Sequence, residues 1–163
     1  MPARLIDFFS GWENYNDLIV QAVKPLHQDQ LAWAPAPTMW PVARLANHIV
    51  AARAWWFGGW MNEETETLHT LINYDDEPGA DQREASQIVD ALNLTWGALC
   101  ECLRRWTEAD LDASFQRPIP NDKGERPWRT RRYIVWHVAE HDLHHGGEIS
   151  LILGMHGGCG LDL

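Results

Sequence analysis

Apolar side chains recur at intervals of three and four residues over four separate stretches of the chain. The first, about residues 5–24, carries Leu5, Phe8, Phe9, Trp12, Tyr15, Leu18, Ile19 and Val23. The second, about 41–60, carries Val42, Leu45, Ile49, Ala52, Trp56 and Trp60. Ile88, Leu92, Trp96, Leu99 and Leu103 mark a third over about 82–106, and Ile134, Val138, Ile149 and Ile152 a fourth over about 130–153. This periodicity predicts four amphipathic helices. Pro25 closes the first, Pro41 suits the first turn of the second, Thr130 suits the N-cap of the fourth, and Gly154 and Gly157 end it. Residues 26–41, 62–81 and 107–129 are rich in Pro, Gly or acidic residues and read as connections, the last as a loop or a short irregular hairpin. No strand pattern competes with the helices and no internal repeat is evident. The expected fold is therefore all-α, a four-helix bundle with long inter-helix connections, built as one domain over residues 1–163.

The fourth stretch contains four histidines within nine positions: His137, His141, His144 and His145. Residues four apart share a helix face, so His137, His141 and His145 rise one above another. With His137 at zero, His145 falls at about 80°, inside the sector of about 60–120° that holds Ile134, Ile152, Val138 and Ile149, and His141 at about 40°, within about 20° of Ile134 and Ile152, so both belong to the apolar stripe. His137 lies at the edge of that sector and His144 outside it. An imidazole on the inner face needs a partner, and two of them four apart are a recurring way to hold a transition metal. A third donor must then come from another helix. His48, on the second stretch with the small Ala52 one turn later, is the candidate.

The chain has 163 residues, a formal net charge of −10 and a pI near 5.1. No basic patch is present, which argues against nucleic acid and anionic membrane as partners. No run of 18 apolar residues suggests a transmembrane helix, and the N-terminus lacks an apolar leader, so a cytoplasmic location is expected. Three cysteines argue against a disulfide framework. Cys100 and Cys102 diverge by about 200° on a helix and cannot clamp one metal together.

Two other motif readings are weaker. His137-Val138-Ala139-Glu140-His141 fits the H-x-x-E-H pattern of inverted zinc proteases, but too little chain follows to supply their third ligand. A di-iron carboxylate bundle would need paired Glu-x-x-His motifs, which are absent.

His48 in its Leu45-Ala46-Asn47-His48-Ile49 setting, joined to Glu140-His141-Asp142-Leu143-His144-His145-Gly146-Gly147-Glu148-Ile149, resembles the DinB/YfiT-like superfamily. The resemblance implies a four-helix bundle in which a divalent metal is held by one histidine of the second helix and two, four apart, of the last. Residue by residue, these are His48, His141 and His145. The last-helix pattern commonly reads Asn-His, three residues, then His-Arg-Gly-Gln-Ile. Here Glu140 replaces Asn, Gly146 stands in place of Arg, and Glu148 in place of Gln.

Neutral imidazoles suit Zn, Ni, Fe(II) or Mn, and three protein ligands leave positions open for chemistry. Asn47, Glu140 and Glu148 are candidates to orient the ligand rings. Trp55, Trp56, Trp60, Tyr133 and Trp136 are candidates to line a pocket, with His137 and His144 beside the ligands. Arg131 and Arg132 read mainly as a solvated pair at a helix start. The resemblance implies metal-dependent transfer of a low-molecular-weight thiol to a small electrophile, or metal-dependent hydrolysis, by a chain that often pairs as a homodimer. A reading from a different class is a non-catalytic, metal-binding stress-response bundle.

Overall fold

The first amphipathic stretch forms α1 (Leu5–Phe8) and α2 (Ser10–Val23), divided at Phe9. The structure is a computed structural model and describes residues 4–63 and 66–161. The second stretch becomes α4 (Val42–Ala54), starting directly after Pro41, and continues as a π-helical turn, Trp55–Trp60. The third is α6 (Ala85–Arg105) and the fourth α7 (Arg131–Met155). Thr130 caps α7 as its sequence suggests: its hydroxyl accepts from the Tyr133 N–H at 3.2 Å. Helix α7 runs through Gly154 and stops before Gly157, whose φ is +75°.

The connections carry more structure than their composition suggests. Residues 26–41 hold α3 (Gln28–Leu31), and the segment between Trp60 and α6 holds α5 (Glu66–Thr70) and a 3-10 turn, Ala80–Gln82. Between α6 and α7, a 3-10 turn (Glu108–Asp112) leads into an antiparallel ribbon of β1 (Ser114–Gln116) and β2 (Trp128–Thr130). Its register pairs Ser114 with Thr130, Phe115 with Arg129 and Gln116 with Trp128. Two three-residue strands are too short for an alternating pattern to stand out in the sequence.

The apolar stripes meet in two clusters. One gathers Ile19, Val23, Leu31, Leu45, Ile49, Ile88, Leu92, Ile149 and Ile152. The other gathers Phe57, Leu68, Trp96, Leu99, Leu103, Trp106, Ile134 and Val138. Helix α4 packs against both α6 and α7, and α2 covers the same pair. The long connection also enters this core. A Cβ on Gly58 would stand 2.9 Å from the Leu68 Cβ, so only glycine lets α5 lie this close to the π-helical turn.

Between the two clusters lies a polar layer that joins all four long helices. Arg53 of α4 is fully buried. Its Nε donates to Asp142 Oδ2 of α7 at 2.9 Å, and its Nη1 donates to Asn16 Oδ1 of α2 and to the Leu92 carbonyl of α6. The Trp12 indole also donates to Asp142 Oδ2, at 2.7 Å. No described helix is long and apolar enough to cross a membrane.

Candidate metal centre

Helices α4 and α7 pack side by side, and that packing brings His48 to His141 and His145. One nitrogen from each ring lies within 4.8 Å of the others. The ring centroids are 4.9 Å apart for His48 and His141, 5.1 Å for His48 and His145, and 4.4 Å for His141 and His145. Among the described residues, no fourth His, Cys, Asp or Glu joins this group. The His48 side chain is 28% exposed and that of His145 12%, so the cluster reaches solvent from the α4 side.

Two of the rings are already oriented. His48 Nδ1 lies 2.6 Å from Asp75 Oδ2, and His145 Nδ1 lies 2.6 Å from Glu148 Oε2. Burial works to raise the Asp75 pKa, but the hydrogen bond and charge of His48 outweigh it and hold the carboxyl below its usual range. Asp75 is then an ionised acceptor, and His48 Nδ1 carries the proton it accepts. Glu148 meets Nδ1 of His145 at the same distance. Both arrangements leave Nε2 as the free nitrogen, the usual pattern of a metal-bound histidine backed by a carboxylate.

His141 is different. Its Nδ1 is buried and has no hydrogen-bond partner. Burial, followed by the neighbouring imidazoles, pushes its pKa down to about 3. Burial also lowers that of His145, with Glu148 opposing. These rings are neutral near pH 7, with lone pairs free to donate. Three imidazoles grouped this closely, one of them with a buried and unpartnered ring nitrogen, are poorly satisfied by protein atoms alone and well satisfied by a cation. The donor set therefore fits a divalent transition metal, and its nitrogen-only composition suits zinc, nickel, iron(II) or manganese.

A second group, His144, His145 and Glu148, also lies within coordination distance, but it shares His145. The His144 side chain is 67% exposed, with Nε2 3.8 Å from Glu148 Oε1. It has little to hold it in place.

Aromatic side chains surround the triad. Trp40 sets an edge against His48 and a face toward His145, at 5.0 and 6.1 Å between centroids. Toward the start of α7, Tyr133 stacks on His137, Trp56 meets His137 edge-on, and Trp60 stacks on Trp56. His137 lies 6.3 Å from His141, outside the ligand group and in its wall. Among the expected pocket residues, Trp56, Tyr133 and His137 thus form one continuous surface leading to His141. Trp55 lies over Gly59, where a Cβ would meet its ring at 2.7 Å. Trp136 is 62% exposed and lines a separate cavity with Leu5, Phe8, Phe9 and Val135.

Other expectations change. Arg131 is buried rather than solvated: it donates to Glu63 Oε1 at 3.0 Å and to the Asp110 carbonyl at 2.7 Å. Only Arg132 remains at the surface, paired with Asp112. Asn47 orients no ligand ring and instead donates to the Ala80 carbonyl at 2.9 Å. Glu140 approaches His137 at 3.7 Å. Cys100 and Cys102 are buried, and burial raises both thiols, that of Cys102 to about 12. Neither is a nucleophile in this setting. Two residues at the site had no sequence signal: Trp40 and Asp75 both lie in segments whose composition reads only as connections.

A helical bundle with a histidine triad shared between its second and last long helices defines a class of candidate metal proteins. The sequence profile of the DinB superfamily matches residues 13–149, and the chain belongs to that superfamily. It is also similar to a crystal structure described as a DinB-like protein from Bacillus cereus ATCC 10987. The TM-score is 0.69 and the identity 20%, over 96% of this chain and 95% of that one, a likeness of fold. A comparison with curated proteins finds no significant match.

Proposed function

We propose that the protein is a metal-dependent enzyme whose divalent ion is held by His48, His141 and His145. In this reading it transfers or conjugates a low-molecular-weight thiol to a small electrophile. The observation that carries the metal is the convergence of one nitrogen each from His48, His141 and His145 within 4.8 Å, with the Nδ1 of His141 buried and unpartnered. Among the described residues no fourth protein donor joins the group, and the His48 side chain is 28% exposed; both support an open site rather than a closed structural one.

The surrounding groups favour thiol chemistry over hydrolysis. A hydrolase site of the zinc-protease kind uses a free carboxylate as general base. Here the two carboxylates nearest the triad are both engaged, Asp75 by His48 and Glu148 by His145. A thiol would need no such base, because a dication held by the three histidines would lower the pKa of a bound sulfhydryl into the neutral range. The wall formed by Tyr133, His137, Trp56 and Trp40 binds the apolar part of the electrophile and keeps water from it.

The test is metal content by elemental mass spectrometry on untagged protein, beside His145→Ala, followed by assay of the loaded protein with thiols and electrophiles. About one metal per chain in the parent and little in the variant is expected. Metal in neither, even after incubation with zinc or nickel, overturns the reading. A loaded protein without thiol-transfer activity that hydrolyses small esters or amides would favour the hydrolase alternative. One inert toward both would favour the non-catalytic bundle.

A further inference from the structure

The connection between Trp60 and α6 is fastened to the metal-bearing helix at two adjacent residues. Asn47, fully buried on α4, donates to the Ala80 carbonyl. His48, the next residue, meets Asp75 through Nδ1. The segment between these contacts is braced from the other side. Arg83 bonds the Tyr74 carbonyl, pairs with Glu77, and lies with its guanidinium carbon 3.6 Å from the Tyr74 ring centroid. The Tyr74 hydroxyl in turn donates to the Gln87 carbonyl of α6 at 3.0 Å. Asp75 is thus delivered to His48 by a loop held at both ends. Its side chain is only 14% exposed, so it is not a solvated surface acid meeting a histidine in passing.

We propose that Asp75 is a positioning residue of the metal centre. It accepts the Nδ1 proton of His48, which fixes the ring's tautomer and rotation so that Nε2 faces His141 and His145. The inference rests on the reading that this triad holds a metal. His48 needs such a partner more than its co-ligands do. His141 and His145 stand one turn apart on a single helix and are aligned by its backbone. His48 comes alone from α4, with the small Ala52 one turn on, and a free imidazole there would rotate about two side-chain torsions. A carboxylate behind a ligating histidine also raises the basicity of the ring, and loss of such a partner lowers metal affinity by about 10- to 100-fold.

The experiment is competition of zinc against a chromogenic chelator for the parent, Asp75→Ala and Asp75→Asn. It is paired with the visible spectrum of the cobalt(II)-loaded forms and the melting of each apo protein. Asp75→Ala is expected to weaken zinc by about 10- to 100-fold and to shift the cobalt bands. Asp75→Asn keeps an acceptor oxygen without the charge and is expected to recover part of the affinity. Apo melting should change little in either, because the contact orders a ring rather than fills a core. Zinc affinity in Asp75→Ala within twofold of a metal-binding parent, with an unchanged cobalt spectrum, overturns the proposal. So does a loss of affinity in both variants that merely tracks a fall in apo stability. A parent that binds no zinc overturns the metal reading itself, which is a distinguishable failure.

Discussion

Gly146 shows how a single missing side chain shapes the last helix. A Cβ at this position would lie 2.5 Å from the Tyr15 hydroxyl and 2.7 Å from its ring. Tyr15 is buried, and its hydroxyl donates to the Leu143 carbonyl at 3.1 Å. The space that an arginine would occupy in the last-helix pattern common to the superfamily is filled here by a tyrosine from α2. A side chain at 146 can be admitted only by moving the ring and breaking its hydrogen bond. Gly146→Ala is therefore expected to cost about 1–3 kcal/mol, as overpacked cores do, despite the better helix propensity of alanine. Urea denaturation reads the loss. The same substitution in a Tyr15→Ala background should cost much less, because the two residues share one space. Equal costs in both backgrounds would refute the account.

At the scale of the elements, the polar layer between the two apolar clusters governs how the helices align. Arg53 and Asp142 are both fully buried, and Trp12, Asn16 and Leu92 join them to α2 and α6. Removing one member leaves the other charge buried without its partner. Arg53→Ala and Asp142→Ala are each expected to destabilise by about 3–5 kcal/mol, while replacing both with apolar residues of similar volume should cost less than either alone. A double-mutant cycle by denaturant melting checks this, and additive losses would show that the pair is not coupled. Asp142 directly follows His141, so the same layer fixes the register that aims the metal-facing side of α7.

The four long helices were legible in the sequence because each carries its own apolar periodicity. So was the meeting of His48, His141 and His145, since spacing and the inner face of α7 select two of them and the family pattern all three. What local pattern does not carry is pairing across the fold. The Arg53–Asp142 contact spans 89 residues and the His48–Asp75 contact 27. Each partner, taken alone, looks like an ordinary charged residue on a helix or in a loop. Trp136 was misplaced for a related reason: being aromatic and next to His137 in sequence says little, because adjacent residues diverge by about 100° around a helix.

For the whole molecule, a buried triad ties stability to protons and to metal. In the unfolded chain His141 titrates near its ordinary value of 6.5, whereas in the fold it is held down to about 3. Between those values the unfolded state binds the proton and the native state does not. The stabilisation is complete above pH 6.5 and is lost as the pH falls, by about 1.4 kcal/mol per pH unit for each such proton. His145, also lowered, acts in the same direction. The window from pH 6.5 to about 4.5 lies above the range in which ordinary carboxylates titrate; buried Asp142, whose pKa burial raises, acts there with the opposite sign, so the histidine share is read by comparison with a His141 variant. The apo protein should therefore melt at progressively lower temperature across that window, and His141→Phe should flatten the slope. Zinc binds the deprotonated rings of the native state and should raise stability by about 2.7 kcal/mol when free metal is 100-fold above its dissociation constant. Protons compete for the same nitrogens, so that gain should shrink as the pH falls and vanish in His145→Ala at every pH. Melting curves across this window, with and without zinc, test both parts. A flat apo profile would show that the buried imidazoles take up protons in the fold as readily as in the unfolded chain, and would refute the lowered pKa of His141.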